Sequence, residues 1–289
     1  MKAEHTYAGI ERAVALMSRS LGQSHVPTLD ELANAACISK FHFIRIYQLV
    51  TGESCSQTMQ RLRLAQASSA LAHGGTVTEA AMTAGYGSSQ ALAKALRRSL
   101  GQSATELRRE PDRLARTIEQ LGSVQQPGAD APLSIELASL EPFTIIAVRT
   151  QGRYAELASV YQSLADAIGG MGNIKNIFGV SMNNSDQGLD GDLVFHCGFQ
   201  TRIEVNPLPD EAETLVIAGD KFLVGRHHGS YERLGESMDM LYWGLLERSD
   251  LDPADRPMFM HYLDDPEHTA ISDLRTDIYL PVLAEEHLL

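Results

Sequence analysis

TLDELANAACISKFHFIRIYQL, residues 28–49, is the stretch on which the fold of this chain turns. Leu29, Leu32, Ala33 and Ala36 recur at the three-and-four spacing of one helical face, and Phe43, Ile46, Tyr47 and Val50 do so again further on. Between them Cys37-Ile38 supplies a turn, and the Ser39 hydroxyl is placed to cap the next helix. Small alanines on the first helix let the second cross it closely, as a helix-turn-helix requires. Phe41, Ile44, Arg45 and Gln48 are left on the outward face of the second helix. On this stretch alone an ordinary helical hairpin is an equal reading.

A second copy separates the two. Residues 76–101, TVTEAAMTAGYGSSQALAKALRRSLG, repeat the pattern: Thr28, Ala33 and Ala36 match Thr76, Ala81 and Ala84. After one extra residue in the turn, Phe43, Arg45, Tyr47 and Gly52 match Leu92, Lys94, Leu96 and Gly101. A helix rich in Arg, Leu and Ala, from Met59 to Ala72, joins the units, and an amphipathic helix over Tyr7–Leu21 precedes them. The tandem resembles the DNA-binding domain of the AraC/XylS family of transcription regulators. The resemblance rests on Ser39, Arg45 and Tyr47 with Thr51-Gly52 and Ser54, on Arg63-Leu-Ala-Gln-Ala67, and on Ala81-Met-Thr-Ala-Gly85-Tyr-Gly-Ser88. Leu92 and Leu96 stand where that family usually has aromatics, and Ser103-Ala104 where Ser-Pro is common. Those departures suit packing but leave the second unit's grip on DNA less defined.

Charge is divided along the chain in the way this reading needs. The whole carries −13, but residues 1–120 hold 14 basic and 10 acidic residues, a net +4, and residues 121–289 hold 10 and 27, a net −17. Phosphate neutralisation belongs with the first part, and the acidic second part is not expected to touch DNA. Cys37, Cys55 and Cys197 lie far apart with no C-x-x-C, which argues for a reducing cytoplasm and against zinc or a disulfide framework. The first residues lack the apolar run of a signal peptide, and no run reaches a membrane-spanning length, so a soluble cytoplasmic protein is expected.

The outward faces of the two recognition helices are expected to read successive major grooves of a double-stranded promoter. In the first unit this assigns Phe41, Ile44 and Arg45 to bases, with Lys40 and His42 nearby for phosphate. The resemblance adds Ser89, Gln90 and Lys94 in the second. Arg and Lys can pair with guanine, Gln with adenine, and Phe or Ile can meet a thymine methyl. Two units on one chain allow a monomer to bind, so a monomer or a homodimer both fit, and RNA polymerase is a further candidate partner.

Residues 121–132, LGSVQQPGADAP, read as a linker between a head (1–120) and a tail (133–289). The tail carries its own repeat. Ile145–Leu164 aligns with Phe222–Leu241, with Arg149, Gly152, Tyr154 and Leu157 matching Arg226, Gly229, Tyr231 and Leu234. Strand-like runs follow each copy, at Ile177–Met182 and Leu193–Thr201, then at Met258–Leu263 and Thr276–Pro281. The fold class is therefore multidomain: an all-α double helix-turn-helix head and an α+β tail. Two β-α-β-β repeats would give the tail one curved antiparallel sheet with both helices on one face.

Gly229-x-Tyr231, a helix bearing Trp243, Tyr262-Leu-Asp-Asp-Pro266 and Thr276-Asp-Ile-Tyr-Leu-Pro281 make the tail similar to the GyrI-like effector-binding domain. The resemblance implies two halves about a pseudo-twofold axis with an aromatic-lined cleft for a small-molecule effector. Relatives that bind cationic drugs carry a glutamate where this chain has Met260, and a thioether cannot offset the dehydration of a cation. Met260 and Tyr262 share a strand face, and with Trp243 and Tyr279 they would form a soft pocket for an uncharged ligand, unless all four are simply core. A tail that hydrolyses or sequesters small molecules is the rival reading, since some GyrI-like proteins act on small electrophiles. A protein partner in place of a ligand is a third. His227-His228, adjacent on a strand, point to opposite faces and do not suggest a metal pair, and Asp186, Asp190 and Asp192 read as a solvated turn. No cofactor or membrane is implied.

Overall fold

The computed structural model describes residues 2–23, 25–109, 133–151, 157–182, 194–248, 250–266 and 268–284. The proposed linker 121–132, Gly152 and Tyr154, and the Asp186–Asp192 turn lie outside them.

In the head, α1 (Lys2–Arg19) leads into α2 (Leu29–Ala36), α3 (Lys40–Thr51), α4 (Cys55–Ala72), α5 (Val77–Thr83), α6 (Ser89–Leu100) and α7 (Ala104–Arg109). Their starts follow side chains that take up free amides. Thr28 and Glu31 form a reciprocal capping box on α2, and Thr76 and Glu79 repeat it on α5. Ser39 caps α3, Ser88 caps α6, and Cys37 makes the first turn in the left-handed region, φ 56°. Each unit has its own core. Leu32, Ala33, Phe43, Ile46 and Tyr47 fill the first with Ile10 and Met17 of α1. Ala81, Leu92 and Leu96 fill the second against Leu64 and Leu71 of α4. Leucine in place of aromatics at 92 and 96 is thus a packing substitution.

In the tail come β1 (Ile135–Leu140), β2 (Phe143–Gln151), α8 (Leu157–Ala167), β3 (Ile174–Met182), β4 (Val194–Thr201), β5 (Ala212–Ile217) and β6 (Asp220–His228). They are followed by α9 (Leu234–Glu247), β7 (Leu251–Pro253), β8 (Met258–Tyr262) and β9 (Arg275–Ala284). The main sheet runs β1-β6-β9-β8-β3-β4-β2-β5, antiparallel throughout, with β7 attached to β9. That order reads the same from either end once the second copy is substituted for the first. The axis passes between β3 and β8, where Gly179 pairs with Met260.

The structure adds one strand to each expected β-α-β-β repeat. β1 leaves its own half to pair with β6, and β5 crosses back to pair with β2. These strands alternate weakly in hydrophobicity because they lie at the sheet edges, which is why the pattern alone did not reveal them. Both helices pack on one sheet face, over Phe195, Cys197, Met260, Ile278 and Leu280 for α9 and over Ile146 and Phe199 for α8. The other face is an aromatic layer of Phe143, Phe178, Phe222, Phe259 and Tyr279. The cluster beneath α9 runs without a break into the core around α3.

Candidate functional site

The two recognition helices present very different surfaces. On α6, Gln90 and Lys94 are exposed and Ser89 is half-buried at the first turn, with Arg97 and Arg98 further along. This is the free, basic face expected of a DNA reader.

On α3 the outward face is occupied by the tail. Ser39 donates to the Asp255 carboxylate at 2.6 Å. His42 is fully buried, its Nδ1 2.6 Å from the Tyr242 hydroxyl and its Nε2 2.8 Å from the Ala254 carbonyl. A carbonyl can only accept, so Nε2 carries the proton and the Tyr242 hydroxyl donates to Nδ1. Burial pushes the imidazole down to about 4, against smaller opposing pulls from the Ala254 carbonyl and the Asp255 charge. Three residues on, Arg45 donates to the Gly235 carbonyl at 3.0 Å and to the Asp239 carboxylate. Ile44 packs against the shared core, and the Lys40 ammonium lies 5.4 Å from the centre of the Phe41 ring. The expectation that His42 and Arg45 stand free for DNA is therefore corrected for this arrangement. Asp239, Tyr242, Ala254 and Asp255 were beyond sequence reasoning, since no local pattern reports a contact across some 200 residues.

The expected ligand quartet is also dispersed. Only Tyr262 of the four lines the aromatic tail cavity beside α8. Met260 is fully buried beneath α9, and Trp243 packs half-buried on the same core. Tyr279 points to the opposite sheet face, where it stacks on Phe259 with ring centres 4.5 Å apart. The pleat explains the split, because Tyr279 alternates with Ile278 and Leu280 on the helix side.

The cavity holds about 240 Å³ on the helix-bearing face. Leu157, Tyr161 and Gln162 of α8 form one wall, Ile177 and Phe199 the floor, and Tyr231, Tyr262, Asp264 and Asp265 the other side. Tyr262 meets Tyr161 and Tyr231 edge to face, at 6.0 and 5.2 Å between ring centres. Tyr231 arrives there through Gly229, whose φ of +105° turns the chain out of β6 as a residue with a Cβ rarely can. Tyr161 donates to the Phe178 carbonyl at 2.8 Å, and burial raises its hydroxyl well above the usual tyrosine range. Asp264 takes a two-pronged bond from Arg275, which holds its carboxyl below the ordinary carboxylate range. Asp265 accepts from His268 at 2.7 Å. Among the described residues no Lys, Arg or His lines the cavity. Tyr231 and the Asp264-Asp265 pair stood in the motifs quoted from the sequence, whereas Tyr161 and Phe199 carried no assigned role there.

His227 is buried and bonded to Ser237 and to the Ser230 carbonyl, anchoring the start of α9. Among the described residues no cluster has the makings of a metal site, and no helix is long and apolar enough to cross a membrane.

A pair of helix-turn-helix units joined to a two-fold α+β domain with an aromatic cavity is the construction of a ligand-sensing transcription regulator. The profile of the GyrI-like small molecule binding domain matches residues 134–283 and that of a helix-turn-helix domain, of the AraC type, matches 32–110. The chain belongs to the GyrI-like family. Solved structures with similar folds include EcmrR in an EcmrR–DNA complex, 15% identical over 73% of this chain and 78% of that one, TM-score 0.45. SAV2435 bound to tetraphenylphosphonium is 19% identical over 54% of this chain and 97% of that one, TM-score 0.40. A hydrolase from Listeria innocua is 15% identical over 52% and 91%, TM-score 0.34.

Proposed function

We propose that the tail senses a small lipophilic molecule with a cationic end, and that α6 and α3 read DNA for it. One observation carries the ligand class: among the described residues the cavity joins four aromatic rings to two carboxylates, Asp264 held by Arg275 and Asp265 by His268, with no basic side chain in its lining. Ring faces attract a cation by about 0.5–2 kcal/mol, more as water is excluded. The case for an uncharged ligand rested on Met260 standing where cation-binding relatives carry a glutamate; Met260 is buried and does not line this cavity, whose carboxylates come instead from Asp264 and Asp265. Phenyltrimethylammonium and tert-butylbenzene have the same shape and differ in charge. The cation should bind the full chain roughly tenfold more tightly. Equal affinities by calorimetry would return the pocket to a neutral ligand.

Binding rather than turnover is the reading that the side chains favour. The thiol nearest the cavity wall, Cys197, is buried and pushed up to about 12 by desolvation, so it stays protonated and a poor nucleophile. Both cavity carboxylates are already engaged, by Arg275 and by His268.

For DNA, the exposed Lys94 is the sharper test than Arg45. Lys94→Ala should relax preference at one base pair and weaken the selected duplex by about 1–3 kcal/mol. A uniform loss on all sequences, with a shallower salt dependence, would reassign Lys94 to phosphate.

A further inference from the structure

We propose that the tail acts as an acidic stand-in for DNA, holding the first recognition helix closed until α9 releases it. This rests on the DNA-reading assignment above and adds a regulated step to it.

The polar seam falls on one face of α3. Ser39, His42 and Arg45 are spaced by three residues, so they line up on one side of the helix. Each one's partner lies in the tail: Asp255 for Ser39, Tyr242 and Ala254 for His42, Gly235 and Asp239 for Arg45. A promoter would use the same donors on phosphates and base edges. Two of the tail's partners are carboxylates, so the head's donors meet negative charge in either state. A duplex cannot reach this face while α9 and the loop holding Ala254 and Asp255 cover it. Among the described residues the second unit has no such cover, and Gln90 and Lys94 are exposed. The closed chain can thus offer one groove reader instead of two.

Two features make the seam separable. The shared core is interrupted at one end: a cavity of about 220 Å³ lies between Ala36, Ile38 and Ile46 of the head and Leu245, Leu251 and Pro253 of the tail. The Arg45–Asp239 pair is also partly exposed, with side-chain accessibilities of 24% and 48%, so water can replace either partner as it opens. The clamp and the ligand cavity share one segment as well. Tyr231 lines the cavity, and Gly235, four residues later, accepts from Arg45.

The test uses the full chain in three forms: unchanged, Asp239→Ala, and Ser39→Cys with Asp255→Cys in a Cys37→Ser background. Duplexes about two helical turns long are first selected from a random pool with the Asp239→Ala form. Asp239→Ala should bind the selected duplex about tenfold more tightly than the unchanged chain, equivalent to about 1.4 kcal/mol. It should protect two successive major grooves. The oxidised double-cysteine form should protect one, with the second regained on reduction. Equal affinity and equal footprints for the unchanged and Asp239→Ala chains, with α3 amides exchanging equally fast in both, would overturn the clamp and leave DNA reading intact. A pool that yields no preferred duplex for any form would overturn the DNA-reading assignment and the clamp together.

Discussion

Between pH 7 and pH 5 the seam between head and tail is expected to weaken by about 2 kcal/mol, roughly a twentyfold shift toward the open form. The cause is His42. In the closed form its imidazole is neutral and titrates at about 4. Released into water it would titrate near its ordinary value of about 6.5. The open form therefore binds more protons across this window, so the closed form's advantage is complete above about pH 6.5 and is lost as the pH falls toward 4. The groups around the ring bear on this, and the backbone of Arg256, like that of Ala254, favours the imidazolium less than burial opposes it. Tyr242 of α9 and the Ala254 carbonyl satisfy the two nitrogens, and Arg45 and Asp239 pair on the next turn. Asp255 favours the imidazolium, but less than burial opposes it. Amide exchange along α3, corrected for its intrinsic pH dependence, reads the shift. His42→Gln keeps a donor and an acceptor but cannot titrate, and it should flatten the profile. An unchanged profile in that variant would remove His42 from the switch.

Gly9→Val is expected to destabilise the head by about 3 kcal/mol. At Gly9, α1 crosses the end of α2 so closely that an added Cβ would lie 2.4 Å from the Ala36 carbonyl oxygen. That oxygen belongs to the backbone and cannot rotate aside. Arg12, one turn on from Gly9, donates to the Ala35 and Ala36 carbonyls at 2.9 and 3.2 Å, so pushing the helices apart strains these bonds too. Gly9→Ala makes the decisive comparison. In an unencumbered helix that change stabilises by about 0.5–1 kcal/mol. Here overpacking of about 1–3 kcal/mol should outweigh it and reverse the sign. A urea midpoint that rises in Gly9→Ala, with an unchanged slope, would refute the close crossing.

The head was legible because each of its signals is local. A Thr-x-x-Glu box, alanines at a crossing and a capping serine each act within a turn or two, and the second copy repeated them. The tail's main strands and helices were legible for the same reason, apart from the short β7 and the edge strands β1 and β5, whose partners lie in the other half. The pocket was harder to read. Met260 and Tyr262 do share a strand face, as alternation requires, but the position of α9 decides which of them meets the cavity.

The order of elements, their caps, the duplications and the split of charge between head and tail are set by the sequence itself, because they depend on neighbours a few residues away. Which aromatic rings meet in one cavity, and that α9 and the loop after β7 cover Ser39, His42 and Arg45, was decided only by tertiary structure. Those contacts join residues some 200 positions apart, and at that separation the shape and charge of packed surfaces select the partner.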